Sequence, residues 1–329
     1  MTLLPAHHPL SQAISPFLQD LGQATSAGEL RLERLRASRP VFRFSCTKGR
    51  AAVGKFFQGA AFLAADHSLR LEFSHYCRLT GLGLEPGHHL PRLWGRRPGL
   101  GLGLLLEAVE GPDLDHFLQY ACDSGDVQPL LISLTRLAQL LAFVHTRPVG
   151  PESVDITPAL AYLEKLRSRL NSQGLLTPVQ NTILSFEAAA WGEIFTNFAD
   201  RAVLVHGDAT PTNFLFPGGR AVALDLERMK LADRLFDLSW IAGEIKHAWG
   251  WRANDLKGGE AAIGHFFEAY LTALGAGPDA APRLFGLNPF YMALAELRIC
   301  RNDYLSWTYR RRLVDEALEC LAGGRRLAA

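Results

Sequence analysis

Alternation of apolar and polar residues marks the first part of the chain as a region of strands. The alternation covers residues 30–35, 41–46 and 51–57, and turn residues separate the three runs. A period of two residues is that of a half-buried strand, so the pattern predicts three consecutive antiparallel strands. An apolar run at 102–108 predicts one more strand.

Apolar residues recur at helical spacing in most of the remaining chain. Leu130, Leu134, Leu137 and Leu141 lie on one face of a helix, which predicts a long amphipathic helix over 127–146. Further helices are predicted near residues 10–21, 66–79, 157–170, 177–198, 259–274, 288–307 and 309–321.

A break in the pattern divides the chain after residue 109. The strand at 102–108 ends near Gly111-Pro112, and the pattern beyond it is mainly helical. The predicted fold class is α+β. We expect an N-terminal extension over 1–28, an antiparallel-sheet domain over 29–109 and a larger, mainly helical domain over 110–329.

Composition and charge exclude several classes of protein. The 48% hydrophobic and 20% charged residues are typical of a globular protein, and the net charge of +1 favours no nucleic-acid partner. Five scattered cysteines form no C-x-x-C pair, which predicts neither a zinc site nor a disulfide framework. Residues 1–10 do not resemble a secretion signal, and no apolar run reaches the roughly 18 residues that a membrane span needs. We therefore expect a cytoplasmic protein without membrane insertion; no feature predicts its oligomeric state.

Candidate chemistry is concentrated in two short apolar segments that each end in polar residues. Leu204-Val205 leads to Asp208 and Asn213, and Ala223-Leu224 leads to Asp225 and Glu227. Phosphoryl transfer requires Mg²⁺ held by oxygen ligands, a carboxylate that orients the attacking hydroxyl, and a cation on the phosphates. These side chains supply the oxygen groups, although Asp and Asn are also common in ordinary turns.

The spacing of these residues resembles that of the aminoglycoside phosphotransferase-like ("phosphotransferase enzyme") family. The resemblance rests on His206-Gly207-Asp208 followed by Asn213, then on Asp225-Leu226-Glu227 after a gap that contains Pro217-Gly218-Gly219. It implies a bilobal protein-kinase-like fold with a nucleotide-binding N-lobe and a helical C-lobe that carries the catalytic hairpin and acceptor site. It also implies transfer of the γ-phosphoryl group of ATP, or alternatively of GTP, to a hydroxyl of a small molecule with Mg²⁺ as cofactor.

The resemblance implies a role for each motif residue. Asp208 is expected to be the catalytic base, and Asn213 and Asp225 are expected to hold Mg²⁺. Glu227 either approaches the metal or the substrate, or satisfies a buried cation such as Arg228.

Nucleotide contacts are expected from three further places. Lys55 lies inside the third strand, where kinases carry a lysine that binds phosphates, and Glu72 on the next helix can turn inward to meet it. Backbone groups from Glu107 to Val109 resemble the hinge that binds adenine. The turn 36–40 contains no glycine, so no Gly-rich loop covers the phosphates; Arg36, Ser38 or Arg39 could contribute instead.

The missing Gly-rich loop keeps an alternative open, a non-catalytic nucleotide-binding (pseudokinase-like) regulator on the same fold. A protein kinase is less favoured, because no A-P-E element follows Asp225. Asp237 is expected to be structural and to bind the backbone of the catalytic loop. Acceptor-site candidates are Glu244, His247, Trp249, Trp251, Arg298, Arg301 and Asp303. Their mixed charge does not favour a polycationic antibiotic; sugars, amino alcohols and saccharides remain open.

Overall fold

The structure, a computed structural model, describes residues 2–19, 30–35, 40–45, 51–56, 67–147, 150–275 and 280–328. Internal contacts group the chain into two units. The first comprises Met1–Pro112 and Leu215–Arg228, and the second comprises Asp113–Phe214 and Met229–Ala329. Arg36, Ser38, Arg39 and Cys46 lie outside the described residues.

The described part of the first unit contains a six-stranded antiparallel sheet. Its strands are paired in the order β1-β2-β3-β4-β6-β5. They are β1 Thr2–Leu4, β2 Leu30–Arg34, β3 Val41–Ser45, β4 Ala51–Phe56, β5 Leu93–Arg97 and β6 Leu102–Glu107. The α+β class with an antiparallel sheet in the N-terminal region is confirmed.

Strand β1 was not predicted, because three residues are too few to show an alternating pattern. It pairs with β2, so residues at the N-terminus belong to the sheet. Helix α1 (Pro9–Gln19) follows it and packs Ile14 and Leu18 into a core with Leu30 and Phe44. The segment expected to be an extension therefore contributes to the core of this unit.

Other described elements of the first unit lie outside the six-stranded sheet. Helix α2 spans His67–Gly81, and the hairpin formed by β8 (Phe214–Leu215) and β9 (Val222–Ala223) returns the chain to this unit. Backbone hydrogen bonds fasten the hairpin: the Phe216 N–H donates to the Pro112 carbonyl at 2.8 Å, and the Ala223 N–H donates to the His89 carbonyl at 3.0 Å. A β-carbon on Gly111 would lie 3.0 Å from Pro217 N, which explains the glycine in the Gly-Pro break.

The described part of the second unit is mainly helical. Its helices are α3 Leu114–Ser124, α4 Gln128–His145, α5 Thr157–Ser172, α6 Pro178–Ile194, α7 Leu235–Arg252, α8 Glu260–Leu274, α9 Ala280–Cys300 and α10 Trp307–Ala328. The apolar stripe predicted on α4 is buried, and α4 packs against α8 while α9 packs against α7 and α10. The ends predicted for the last two helices, 288–307 and 309–321, are wrong. Helix α9 begins before Pro289, continues through it and stops at Cys300, and α10 extends to Ala328.

One small sheet in the second unit positions the polar motif. Strand β7 (Val203–Val205) pairs antiparallel with β10 (Lys230–Ala232). This pairing fixes the end of β7, from which the loop with the polar motif starts. Across the described residues, no helix combines the length and the apolarity that a membrane span requires.

Candidate active site

Lys55 joins two carboxylates in the first unit. It lies on β4, whose neighbours β3 and β6 pair with it on both sides, and it is 8% exposed. Its Nζ lies 2.6 Å from Glu72 Oε1 on α2 and 2.7 Å from Asp225 Oδ1. The sequence predicted the first of these contacts, and the structure brings Asp225 to the same ammonium.

The two carboxylates keep Lys55 charged. Burial alone would lower the pKa of Lys55, but Glu72 and Asp225 outweigh burial and raise that pKa above its usual value. Burial acts on Glu72 in the opposite direction and raises its pKa, against the Lys55 ammonium. Glu72 Oε2 is buried and has no hydrogen-bond partner among the described residues.

The carboxylates beside Lys55 have the chemistry of a divalent-metal site. Glu72, Asp225 and Glu227 each offer an oxygen, and these atoms lie within 4.8 Å of one another. Oxygen ligands suit Mg²⁺, and Glu72 Oε2 is an acceptor without a hydrogen-bond partner among the described residues, so the chemistry of these residues fits a metal. Asp225 has a φ of 56°, a left-handed conformation that is uncommon for a residue with a side chain and clusters at functional sites.

Arg228 is not the buried cation that one of the alternatives assigned to Glu227. Arg228 was considered as a buried cation that Glu227 would satisfy, but the Arg228 side chain is 64% exposed and its Nε lies 3.8 Å from Glu227 Oε1. A contact of this kind at the surface contributes little to stability. Glu227 therefore does not serve to neutralise a buried Arg228.

Asp237 organises the loop after β7 in the second unit. Its carboxylate is fully buried and accepts hydrogen bonds from the His206 N–H at 2.6 Å and the Gly207 N–H at 3.0 Å. It also lies 3.2 Å from His145 Nε2. Burial would raise the pKa of Asp237, but the hydrogen bond from His145 and the charges and N–H groups around it lower that pKa. The predicted structural role of Asp237 is confirmed by these bonds.

Asp208 and Asn213 lie on the loop that Asp237 anchors. The Asn213 amide nitrogen donates to the Asp208 backbone carbonyl at 2.9 Å, and both side chains are half-buried. His206 is buried, packs against Phe214 with ring centroids 5.1 Å apart, and accepts the Asp208 N–H on Nδ1 at 3.3 Å. Because the amide nitrogen of Asn213 is engaged, its oxygen is the atom left for a ligand.

A cavity of about 310 Å³ lies beside this loop in the second unit. Thr210 and Thr212, which lie between Asp208 and Asn213, form part of its wall. The other polar and aromatic lining residues are Asp115, Glu244, His247, Trp251, Arg252 and Tyr304.

Three of the acceptor-site candidates line this cavity, namely Glu244, His247 and Trp251. Arg298 contacts Glu244 instead, and Trp249 is buried; Arg301 and Asp303 are not among the lining residues.

Comparison with known proteins identifies the family. The family model described as the phosphotransferase enzyme family matches residues 32–284. The chain belongs to this family. No curated protein matches the chain in sequence.

Solved structures of small-molecule kinases share the fold of this phosphotransferase. An aminoglycoside phosphotransferase, APH(2'')-Ib with bound ADP, matches at 14% identity and a TM-score of 0.56, covering 88% of this chain and 94% of its own. Choline kinase LicA from Streptococcus pneumoniae matches at 16% identity and a TM-score of 0.56, covering 95% of this chain and 99% of its own. A putative fructosamine-3-kinase from Thermobifida fusca matches at 18% identity and a TM-score of 0.56, covering 94% of this chain and 98% of its own.

These matches and the family assign the protein-kinase-like fold and the enzyme class. The protein is therefore a phosphotransferase of the phosphotransferase enzyme family. The matching aminoglycoside phosphotransferase is itself an ADP-bound structure. The acceptor and the role of each residue are separate questions.

The residues expected to form the hinge lie at the end of β6, whose last residue is Glu107. The Glu107 N–H donates to the Arg92 carbonyl and the Ala108 N–H donates to the Ala51 carbonyl, both within the first unit. Val109 lies just beyond β6. Binding of adenine by Glu107 and Val109 stays a prediction.

Sequence reasoning missed several lining residues of the cavity. Asp115 lies on α3, Arg252 ends α7 and Tyr304 lies between α9 and α10. None of them belongs to a motif, and a charged residue on a helix face is usually solvated. Only the tertiary packing brings these residues to one cavity.

Proposed function

We propose that this protein transfers the γ-phosphoryl group of ATP to a hydroxyl group of a small molecule. The observation that carries the proposal is the buried Lys55 ammonium held by the carboxylates of Glu72 and Asp225. An ion pair of this kind is expensive to bury and is retained where a cation must be positioned. Family membership supports the same reaction type.

Lys55 and Glu72 bind the nucleotide phosphates in this proposal. The Lys55 ammonium neutralises phosphate charge, and Glu72 keeps the ammonium in position through the 2.6 Å contact. Glu107 and Val109 bind the adenine through their backbone groups. Residues 29–109 thus form the nucleotide-binding domain, and residues 110–329 carry the catalytic loop and the acceptor site.

Asn213, Asp225 and Glu227 are the proposed ligands of Mg²⁺. They are hard oxygen donors, and the carboxylates of Asp225 and Glu227 lie within one group. When bound, Mg²⁺ neutralises charge on the phosphates and on the developing transition state.

Asp208 is the proposed base. It orients the acceptor hydroxyl and accepts its proton as the new bond to phosphorus forms. Asp237 and His206 hold the loop that carries it, which keeps the carboxylate in a constant position. A positioned general base typically contributes about 10²–10⁴-fold to the rate.

ATP is the proposed phosphoryl donor. The nucleotide named with the matching aminoglycoside phosphotransferase is an adenine nucleotide, ADP. GTP, the other donor expected from the sequence, receives no support of this kind.

An incubation with Mg-ATP and a pooled metabolite extract tests the proposal. We expect acceptor-dependent release of ADP, together with a product heavier than its acceptor by one phosphoryl group. The pseudokinase-like regulator instead predicts nucleotide binding without either product. Binding of ATP with no ADP released above the no-enzyme control would therefore refute the transferase and favour the regulator.

A further inference from the structure

The carboxylate of Glu244 in the cavity beside Asp208 is already neutralised. Glu244 is bound by the guanidinium of Arg298, and both side chains are largely buried. The same guanidinium lies over the ring of Trp240, 5.4 Å from its centroid, so that packing holds it in place. Burial raises the pKa of Glu244 more than Arg298 lowers it, so the charge of this carboxylate depends on the guanidinium beside it.

The second carboxylate of the cavity is neutralised in the same way. Arg252 Nη2 lies 3.0 Å from Asp115 Oδ1 and 3.2 Å from Asp115 Oδ2. The pair joins the last turn of α7 to the first turn of α3. To gain a carboxylate partner among the described lining residues, a cationic acceptor would have to displace a guanidinium from Asp115 or from Glu244.

His247 adds a hydrogen-bonding group without adding charge. Burial, with Arg252 and Arg298 nearby, lowers the pKa of His247 to about 4, so its ring is neutral at pH 7. The Tyr309 hydroxyl lies 2.9 Å from His247 Nδ1 and donates to the His247 carbonyl at 3.2 Å. Since the hydroxyl has one proton, Nδ1 must be the donor to it, which leaves Nε2 as an acceptor.

Two exposed aromatic rings complete the lining. Trp251 is 45% exposed and Tyr304 is 71% exposed although both lie at the cavity. The negative face of an aromatic ring attracts the polarised C–H groups of a sugar face as well as cations. The volume of about 310 Å³ is at the small end of the range for ligand pockets, roughly 300–1,000 Å³.

We infer that the acceptor is a neutral polyhydroxylated molecule of the size of one or two sugar rings, bound in this cavity with one hydroxyl at Asp208. The inference rests on the proposed function and narrows it. Paired carboxylates and guanidiniums, a neutral imidazole and the Thr210 and Thr212 hydroxyls offer donors and acceptors to hydroxyl groups without net charge. The same pairing disfavours amino alcohols and polycations, because Arg252 and Arg298 repel positively charged groups.

An acceptor panel tests the inference against the cationic alternative. The neutral set is glucose, maltose, mannitol and myo-inositol; the cationic set is choline, ethanolamine and an aminoglycoside. With Mg-ATP and the full chain, we expect kcat/KM for the best neutral acceptor to exceed that for every cation by at least tenfold. Preference for a cation would overturn the inference and leave the proposed function standing. Absence of transfer to either set of acceptors would overturn both the inference and the proposed function.

Two variants test the cavity itself. Trp251→Ala should raise KM for the neutral acceptor by about tenfold with kcat within a factor of two, while Trp307→Ala, a tryptophan 49% exposed outside the cavity, should leave KM unchanged. Arg252→Gln releases Asp115 and should shift the cation-to-neutral ratio of kcat/KM at least fivefold towards cations; Arg169→Gln on the exposed face of α5 is its control. Equal effects of cavity and control variants would overturn the inference.

Discussion

Asp225 Oδ1 lies 2.7 Å from the ammonium of Lys55, a residue 170 positions earlier in the chain. The same ammonium lies 2.6 Å from Glu72, so one buried cation holds two carboxylates of the first unit. In the proposed mechanism Asp225 also binds Mg²⁺. Its position therefore depends on Lys55, and substitutions of the two residues should be coupled.

Lys55→Met should destabilise the protein and weaken nucleotide binding. It removes the cation from the fully buried Glu72, and breaking a buried ion pair typically costs about 3–5 kcal/mol. Chemical denaturation should show a lower unfolding free energy, with part of the loss recovered in the Lys55→Met/Glu72→Gln double variant. Lys165→Met, at an exposed position of α5, is the matched control. Equal stability of the Lys55 and Lys165 variants would contradict the account.

Asp225→Ala should weaken the Mg²⁺-dependent part of nucleotide binding. Titration of ATP with Mg²⁺ should give at least tenfold lower affinity than for the unsubstituted protein, because a proposed metal ligand is lost. With a chelator instead of Mg²⁺ the two proteins should differ less. An unchanged affinity in the presence of Mg²⁺ would refute the metal role of Asp225.

Asp237→Ala should loosen the catalytic loop. The substitution leaves the buried N–H groups of His206 and Gly207 without their acceptor, and each such group costs about 1–3 kcal/mol. The unfolding free energy should fall by about 3 kcal/mol at pH 7. Because the folded-state pKa of Asp237 is lowered, the stability that it contributes is present above pH 4 and is lost at lower pH. The difference between the two proteins should thus shrink from pH 5 to pH 3, and a constant difference would contradict this assignment.

His247 should make the stability of the protein pH-dependent in a higher range. Its folded-state pKa of about 4 lies below the ordinary value of 6.5, so the unfolded chain binds the proton more tightly. Above pH 6.5 the protonation of His247 therefore does not reduce the unfolding free energy. The reduction grows as the pH falls from 6.5 towards 4. From pH 7.5 to 5 the unsubstituted protein should lose about 2 kcal/mol more of its unfolding free energy than His247→Gln. Parallel pH profiles for the two proteins would show that His247 titrates normally.

The parts of the site that the sequence predicts are those with short-range signals. Asp208 and Asn213 are separated by four residues on one loop, and chemistry imposes that spacing. Lys55 and Glu72 follow from a strand and the helical period of the next segment. Their contact is present in the structure, whereas their binding of nucleotide stays a proposal.

Long-range pairing is what the sequence does not reveal. Nothing in the local pattern distinguishes the Lys55–Asp225 contact, or the pairing of Arg298 with Glu244, from ordinary charged positions. Such contacts depend on how helices and strands far apart in the chain pack together. Strand β1 was not predicted for a different reason: its three residues are too few to show an alternating pattern. The domain limits, the cytoplasmic location and the lack of a nucleic-acid partner stay predictions.

Transfer of label from γ-³²P-ATP to a small-molecule acceptor, compared between the unsubstituted protein and Asp208→Asn, tests the central claim most directly. Asp123→Asn, at an exposed position of α3, is the matched control. The account predicts labelled product with the unsubstituted protein and the control, and about 10²–10⁴-fold slower labelling with Asp208→Asn at unchanged ATP affinity and melting temperature. Labelling by Asp208→Asn at the unsubstituted rate would contradict it.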